Sequence, residues 1–380
     1  MLPYFVSFCA TLLILAIIQS WSRNSVGYIF WSIVAVLIPC LLAGMRADSI
    51  GTDVAVYAKP LFDVAHSSSS FGEFYGSGLI QYWSRADVSE FEIGYLALVW
   101  VSSRLFDSVQ GLLFLTQLLV IVPIYWTLSR RGNKETLATG MCLFLFLYFN
   151  QSLNMMRQWI AMAFVFMGIL GLYKKNGKAK DHIAGIVPIL IGVSFHTSAV
   201  LGFVIFAIRA YIDSNAGSQL RKVALVCGIA LVAILFIGPV ASLLTSFGFG
   251  SYVAGYLGNQ SVGIMPNQII IRLPLIFIAL LAFRRTERQD PFTAFLLCMT
   301  IVGVLLSQLT SLSDHGGRIG LYFDMFTLAL PPALLRTYQN DDATKLVIES
   351  VLIVYALIYW TYFYALMGSS ETVPYLAFWS

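Results

Sequence analysis

The chain is built of apolar runs of 16–26 residues, separated by short loops that hold most of its charge. About 20 apolar residues in a helix cross the hydrocarbon core of a bilayer, so runs of this length constrain the fold more than any other feature. Backbone polar groups in that core find no water, and a helix satisfies them internally. A membrane β-barrel would show segments of about ten residues with alternating polarity, and none occur. Composition agrees: 58% of the 380 residues are hydrophobic and 11% are charged, against about 25% charged in a soluble domain. The expected fold is an all-α polytopic membrane protein with one transmembrane domain over residues 1–380. Its first partner is the lipid bilayer, and a net charge of +4 gives no sign of nucleic acid. Cys9, Cys40, Cys142, Cys227 and Cys298 all lie in apolar runs without CxxC spacing, which points to packing rather than to a disulfide framework or a zinc site.

The runs place membrane segments near 3–20, 26–45, 111–129, 136–152, 158–173, 222–247, 268–284, 292–311, 317–337 and 345–367, about ten full crossings. Two further regions read as partial or re-entrant. Residues 91–106 are short for a crossing, and 183–211 are too long for one helix and are broken by Ser194-Phe195-His196-Thr197-Ser198. Lys and Arg collect in cytoplasmic loops. Arg130, Arg131 and Lys134, then Lys174 to Lys180, then Arg209, Arg221 and Lys222, then Arg284, Arg285 and Arg288, then Arg336 and Lys345 share one side if 183–211 is a helical hairpin with His196 at its turn. The loops near 150–157, 196, 248–267 and 312–318 then face outward, and 248–267 contains no Lys or Arg. Charge alone leaves loop 46–90 open: inside if 91–106 crosses, outside if it only dips in.

Ionisable groups at membrane depth cost about 2.5–3.5 kcal/mol on insertion scales, so each is a functional candidate. Arg46 ends the second run and opens Arg46-Ala-Asp-Ser-Ile-Gly51-Thr52-Asp53, with Tyr57 one turn later. Glu92 begins the short stretch, Arg157 and Gln158 lie where two runs meet, and His196 interrupts a third. Asp314-His315-Gly-Gly-Arg318 opens another, followed by Tyr322 and Asp324. Each alone has a plainer reading: an arginine snorkels to headgroups, a lone His packs, and Gly51-Thr52-Asp53 is a turn with an N-cap. The inferred topology nevertheless puts Arg157, His196 and Arg318 on one face. Guanidinium matches phosphate oxygens bidentately, so these arginines suit a phosphate-rich ligand. A His or carboxylate beside them can take a proton from a hydroxyl. No DxD, HExxH or acidic ligand cluster accompanies them, so the expected site has no metal, no cofactor, and arginine in place of magnesium at a diphosphate leaving group.

Taken together, Arg46-x4-Gly51-Thr52-Asp53-x3-Tyr57, Glu92-x-Gly94-Tyr95, Met156-Arg157-Gln158-x-Ile160-Ala161, Phe195-His196-Thr197-Ser198-Ala199 and Arg318-x3-Tyr322-Phe323 resemble the EpsG family. These are Wzy-like polymerases of bacterial exopolysaccharide, capsule and O-antigen. One departure is Ile93, where the family often has Pro. The resemblance implies a multi-pass protein of the bacterial inner membrane whose site faces the periplasm or exterior. It implies a metal-independent glycosyltransferase that moves a growing glycan from its polyprenyl diphosphate onto the next lipid-linked repeat unit. A polyprenyl-diphosphate-linked oligosaccharide is then both donor and acceptor, and a chain-length regulator is an optional partner. On this basis loop 46–90 faces outward and 91–106 dips in. His196 is the first choice of base, with Asp53, Glu92 and His315 as rivals. Arg46, Arg157 and Arg318 are expected on the diphosphate, with Tyr57, Gln158, Tyr322 and His315 positioning substrate. Two other classes compete. A membrane O-acyltransferase acting on a glycan needs only His196, but its thioester donor does not call for three guanidiniums. A transporter of lipid-linked glycans often carries internal repeats, and none is visible between the halves.

Overall fold

The computed structural model describes residues 1–80, 85–131, 134–174, 178–215, 217–237, 262–285, 290–335, 338 and 341–379. It is overwhelmingly helical, and it divides into a first unit, Met1–Val200 with Leu346–Ser380, and a second, Leu201–Lys345. The single sheet among the described residues is a two-stranded antiparallel hairpin.

In the first unit α1 (Leu2–Ile18) packs on α2 (Val26–Gly44). The hydroxyl of Ser25 accepts the Tyr28 N–H and so caps the start of α2, satisfying one of the orphan donors of a helix N-terminus. The segment 46–90, polar enough to read as a loop, is in fact folded. A π-helical turn Val54–Ala58 runs into α3 (Lys59–Ser67), then come α4 (Phe71–Tyr75), the hairpin β1 (Gly78–Ile80) and β2 (Arg85–Asp87), and a 3-10 turn Val88–Glu90. Leu61, Phe62 and Ala65 on one face of α3 pack with Phe74, Leu79 and Val88, and with Tyr95, Leu96 and Val99 of α5 (Ile93–Leu105). Each large side chain buried there contributes about 1.5–3 kcal/mol, which is what folds so polar a segment. Arg104 of α5 closes the end of α3 by donating to the carbonyls of Ala65, His66 and Ser68. At 13 residues α5 is about 20 Å long, shorter than a hydrocarbon core of about 30 Å.

Helix α6 (Val109–Arg131) packs on α2 and on the helix that begins at Met156. Then α7 (Lys134–Leu143), a π-helical turn Phe144–Tyr148 and α8 (Phe149–Asn154) make one continuous rod. Met155, at φ −99° and ψ 58°, breaks it before α9 (Met156–Phe166), which continues as a π-helical turn Met167–Leu172. Beside α9 lies α10 (Ala179–Phe195), followed by extended His196 and a 3-10 turn Thr197–Val200.

The second unit holds α11 (Leu201–Asp213), α12 (Gln219–Leu235), α13 (Pro266–Arg285), α14 (Pro291–Ser307) and α15 (Asp314–Asp324), then a 3-10 turn Met325–Ala329 and α16 (Leu330–Leu335). Its centre is α14, packed against α11, α12, α13 and α15. The expected crossing at 317–337 is thus assembled from three short pieces rather than one helix. Arg209 and Lys222, counted above only as markers of side, are buried and hold the end of α11. Arg209 pairs with Asp213 at 2.9 Å, and Lys222 Nζ donates to the Ile212 carbonyl at 2.9 Å. The end of the expected crossing 222–247 and most of loop 248–267 lie outside the described residues.

The chain returns to the first unit along α17 (Asp342–Trp360) and a π-helical turn Thr361–Leu366, and ends in a strap, residues 368–379, that laces the mouth of α2. Ala377 bridges to Arg46, the Ala47 N–H donates to Leu376 O at 2.9 Å, and the Phe378 N–H donates to Met45 O at 3.0 Å. Buried Thr372 accepts from the Tyr4 hydroxyl at 2.6 Å and, through Oγ1, from Asn150 Nδ2 at 2.8 Å. Asn150 in turn accepts from Trp360 Nε1 at 2.8 Å. Six described helical stretches are long and apolar enough to cross a membrane: Val26–Gly44, Val109–Arg130, Thr136–Asn154, Pro266–Arg285, Pro291–Ser311 and Asp342–Leu366. Leu2–Ile18, Ile93–Leu105 and Met156–Leu172 are apolar but shorter. The protein is therefore an all-α polytopic membrane fold; an expected count of about ten crossings stands against these six.

Candidate functional site

Helix ends supply the most polar constellation of the first unit. Glu92 is the N-cap of α5, Arg157 lies in the first turn of α9, and His196 is the C-cap of α10. Glu92 joins all three elements. Its Oε2 accepts from Arg157 Nη1. Its Oε1 lies 3.0 Å from His196 Nδ1 and accepts from the N–H and the hydroxyl of Thr197, each at 3.1 Å. The side chains of Glu92, Arg157 and His196 are 15%, 23% and 30% exposed, so the cluster is sheltered yet open at one side. Burial works against the Glu92 charge, but the His196 hydrogen bond, the Arg157 charge and backbone N–H donors outweigh it and hold the carboxyl down at about 2. Glu92 is accordingly an ionised anchor, with both oxygens occupied.

Close approach of α5 to α10 makes this possible, and it depends on Gly94. A Cβ there would stand 2.4 Å from Ser194 Oγ and 2.7 Å from the Ser194 carbonyl oxygen, so any side chain would push the Glu92 turn away from His196. The Glu92-x-Gly94 spacing thus has a mechanical meaning: the residue at the start of α5 reaches Arg157, His196 and Thr197 with its carboxylate, while Gly94 lets α10 come close enough to be reached.

A second chain of contacts runs from Arg157 to the Gly51-Thr52-Asp53 turn. The Arg157 guanidinium lies over the Tyr57 and Phe91 rings, 4.6 and 4.9 Å from their centroids, and the rings, 5.8 Å apart and tilted by 45°, both hold the cation by cation–π contact. The Tyr57 hydroxyl donates to Asp53 Oδ2 at 2.5 Å. Asn154 Oδ1 accepts from the Thr52 hydroxyl at 2.6 Å and the Asp53 N–H at 3.3 Å, tying the turn to α8. Gly51 adopts φ +84°, and a Cβ there would stand 2.8 Å from Leu153 O.

Arg46, expected on the diphosphate, lies buried among main-chain carbonyls. It is 1% exposed, and its guanidinium donates to the carbonyls of Ala43 at 2.7 Å, Leu153 at 3.1 Å and Ile50 at 3.3 Å. Burial lowers its pKa to about 10, so it remains a cation at neutral pH. It binds the main chain that carries Asp53 and presents no open face. Gln158 is buried on α9. In the second unit, Arg318 is partly exposed and Tyr322 is buried on α15. His315 begins the same helix, and its side chain lies outside the described residues.

The first unit therefore brings Asp53, Tyr57, Glu92, Arg157 and His196 into one connected cluster above buried Arg46. Sequence reasoning missed Asn154 and Phe91, and gave Thr197 no part of its own. A usable signal for Asn154 was its place one turn before Arg157. It also missed Arg272, which donates to Asp324 Oδ2 at 2.6 and 2.9 Å in the second unit, although an arginine inside an apolar run is a plain flag. Among the described residues no group of three or more His, Cys, Asp or Glu side chains gathers as metal ligands. Chemically, the cluster can bind a polar group over Arg157 and take a proton at the imidazole. A family model described as the EpsG family matches residues 29–377. No curated protein and no solved structure matches the chain.

Proposed function

We propose, because the chain belongs to the EpsG family of Wzy-like polysaccharide polymerases, that it joins polyprenyl-diphosphate-linked oligosaccharide repeat units into polysaccharide at the outer face of the bacterial inner membrane. The observation that carries this reading is the single carboxylate Glu92 shared between Arg157 and His196. If Nδ1 of His196 gives its hydrogen to Glu92, Nε2 keeps a lone pair, and the imidazole is held ready to accept a proton. In the proposed step the acceptor sugar hydroxyl attacks the anomeric carbon of the donor glycan. Its proton passes to His196 Nε2, and the bond between the anomeric carbon and the diphosphate oxygen breaks with its electron pair leaving on the diphosphate. Arg157, one donor committed to Glu92, offers others to that leaving group. Glu92 orients the base and stabilises the imidazolium, a role closer to the buried acid of a catalytic triad than to a base of its own.

The remaining roles follow from the same chemistry. Asp53 and Tyr57 position Arg157, and Arg46 positions the turn that carries Asp53. The parts given to Arg318, Tyr322, Gln158 and His315 rest on the sequence motif. Orientation rests on the distribution of Lys and Arg, with 46–90 outside, 91–106 dipping in, and 183–211 entering and leaving one side. A transporter of lipid-linked glycans predicts something different. Purified protein in detergent, given lipid-linked repeat units, has no second compartment to move them to, so chain lengthening there can only be transfer. Single units consumed and longer glycans formed by wild type, with His196→Ala inactive but still retaining the lipid-linked unit, is the expected result. No lengthening by well-folded wild type that binds the lipid-linked unit would sink the polymerase reading.

A further inference from the structure

The opposite end of α2 from the Glu92 cluster carries a cavity that the proposed reaction does not use. It lies between α2 and α6 and has a volume of about 330 Å³. Ile29, Ile33, Val36 and Leu37 of α2 face Leu118 and Val122 of α6 along its length, an apolar wall open to the membrane. Its other end is polar, formed by Arg23, Tyr28, Ser32, Tyr125 and Ser129. Arg23 is exposed in the turn that leads into α2, and the exposed Arg130 follows Ser129 at the end of α6, its guanidinium 4.3 Å from the Trp126 ring centroid. Nineteen residues of α2 separate this end from Arg46, about 28 Å of helix, so the two polar ends belong to opposite faces of the bilayer.

We infer that this groove is a binding site for an anionic glycerophospholipid, with one acyl chain along Ile33, Val36 and Val122 and the phosphate at Arg23. Both ends of the cavity match that occupant. The aliphatic wall takes hydrocarbon with no unsatisfied polar group, and guanidinium with tyrosine and serine hydroxyls is the donor set that phosphate oxygens use. A zwitterionic lipid offers the same phosphate oxygens but no net charge for Arg23 and Arg130 to attract, whereas a basic residue at a membrane surface draws an anionic headgroup by about 1 kcal/mol. On the orientation proposed above this is the cytoplasmic leaflet, yet the site stands on α2 and α6 alone and is independent of the reaction.

The test reconstitutes the full chain in phosphatidylcholine vesicles containing either phosphatidylglycerol or phosphatidylcholine with a photoreactive acyl chain, and maps labelled peptides by mass spectrometry. The phosphatidylglycerol probe should label 118–129 about fivefold more than the phosphatidylcholine probe. Arg23→Gln should erase that preference, Arg23→Lys should keep most of it, and Ile33→Trp should lower labelling by both probes. Each variant is first checked for wild-type helicity and elution volume, and the Lys and Trp variants keep the test decisive if Arg23→Gln fails to insert. Equal labelling by the two headgroups in wild type would reduce the groove to ordinary annular lipid. Displacement of the phosphatidylglycerol probe by an equimolar polyprenyl phosphate would assign the groove to the carrier chain instead; either result overturns the proposal.

Discussion

Two arginine–carboxylate pairs, one in each unit, show how the same chemistry serves different ends. In the first unit Glu92 shares its oxygens among Arg157, His196 and Thr197, and the cluster keeps an open side. In the second, Arg272 gives two N–H groups to one oxygen of Asp324 and others to the carbonyl and side-chain oxygen of Gln268, and the Asp324 side chain is only 5% exposed. The first pair contains a third, titratable partner, His196, whose side chain is 30% exposed. The second is shielded from solvent and ties α13 to the end of α15. An ion pair at membrane depth is thus a functional candidate in proportion to what else its carboxylate holds, not because it is there.

That contrast breaks most sharply at Arg157. Arg157→Ala should abolish polymer at normal protein levels while single repeat units persist on the lipid carrier, and Arg157→Lys should rescue poorly because a point charge cannot reproduce the planar fork held against Tyr57 and Phe91. Wild-type polymer length from the alanine variant, read on a polysaccharide gel, would take Arg157 out of the site. Next in size, His196→Ala should fold and insert normally and lower the polymerisation rate by about 10²-fold or more, the scale of a lost general base. Glu92→Gln should lower kcat with little change in KM, since it disturbs the base and not the binding of the glycan. If His196→Ala is active and Asp53→Asn is dead yet stable, the base is a carboxylate.

The shielded pair should fail in a different currency. Arg272→Ala leaves Asp324 buried without its charge partner, which costs about 3–5 kcal/mol, so the protein should be scarce in membranes while activity per molecule stays near wild type. Replacing both residues together, Arg272→Met with Asp324→Leu, should restore the level, because neither uncompensated charge remains. A full level with lost activity in Arg272→Ala would turn this pair into a second reactive site and dissolve the comparison. Smaller again is Gly94→Ala, where a methyl would meet Ser194; about a tenfold loss of rate is expected, restored in part by Ser194→Gly, which removes the hydroxyl but leaves the carbonyl contact.

How much of this was legible in the sequence depends on the range of the interaction. Apolar run length marked the rods, and the Ser-Phe-His-Thr-Ser interruption coincides with the end of α10 at Phe195. Glu92, Gly94, Arg157 and His196 were each visible as misplaced polar residues or motif positions. What had no local trace were bonds between distant residues: Arg46 to Leu153 O, Thr372 to Tyr4 and Asn150, and the strap from Ala377 to Arg46. Arg46 illustrates the cost. Sequence chemistry can say that a guanidinium at a helix end seeks oxygen, but not whether that oxygen belongs to phosphate or to three carbonyls of its own chain. Segment 46–90 hid its order for a related reason, since α3 and α4 are too short to give a periodic signal and are stabilised by packing on α5.

The smallest expected effect is a pH dependence at the open pair. The Glu92 carboxyl titrates at about 2 in the folded protein against an ordinary value of 4.5. A depressed carboxylate pKa contributes stability that is complete above the unfolded value and is lost as pH falls through the folded one. The thermal midpoint of purified wild type should therefore exceed that of Glu92→Gln by a constant margin from neutral pH down to about 4.5, and the margin should shrink steadily from there toward 2. Because the cluster is partly exposed, the margin is discounted by solvent screening and should amount to no more than a few degrees. A margin that stays flat through that window would mean Glu92 gains nothing from being ionised when folded. His196 would then lack its anchor, and the open pair would be as structural as the shielded one.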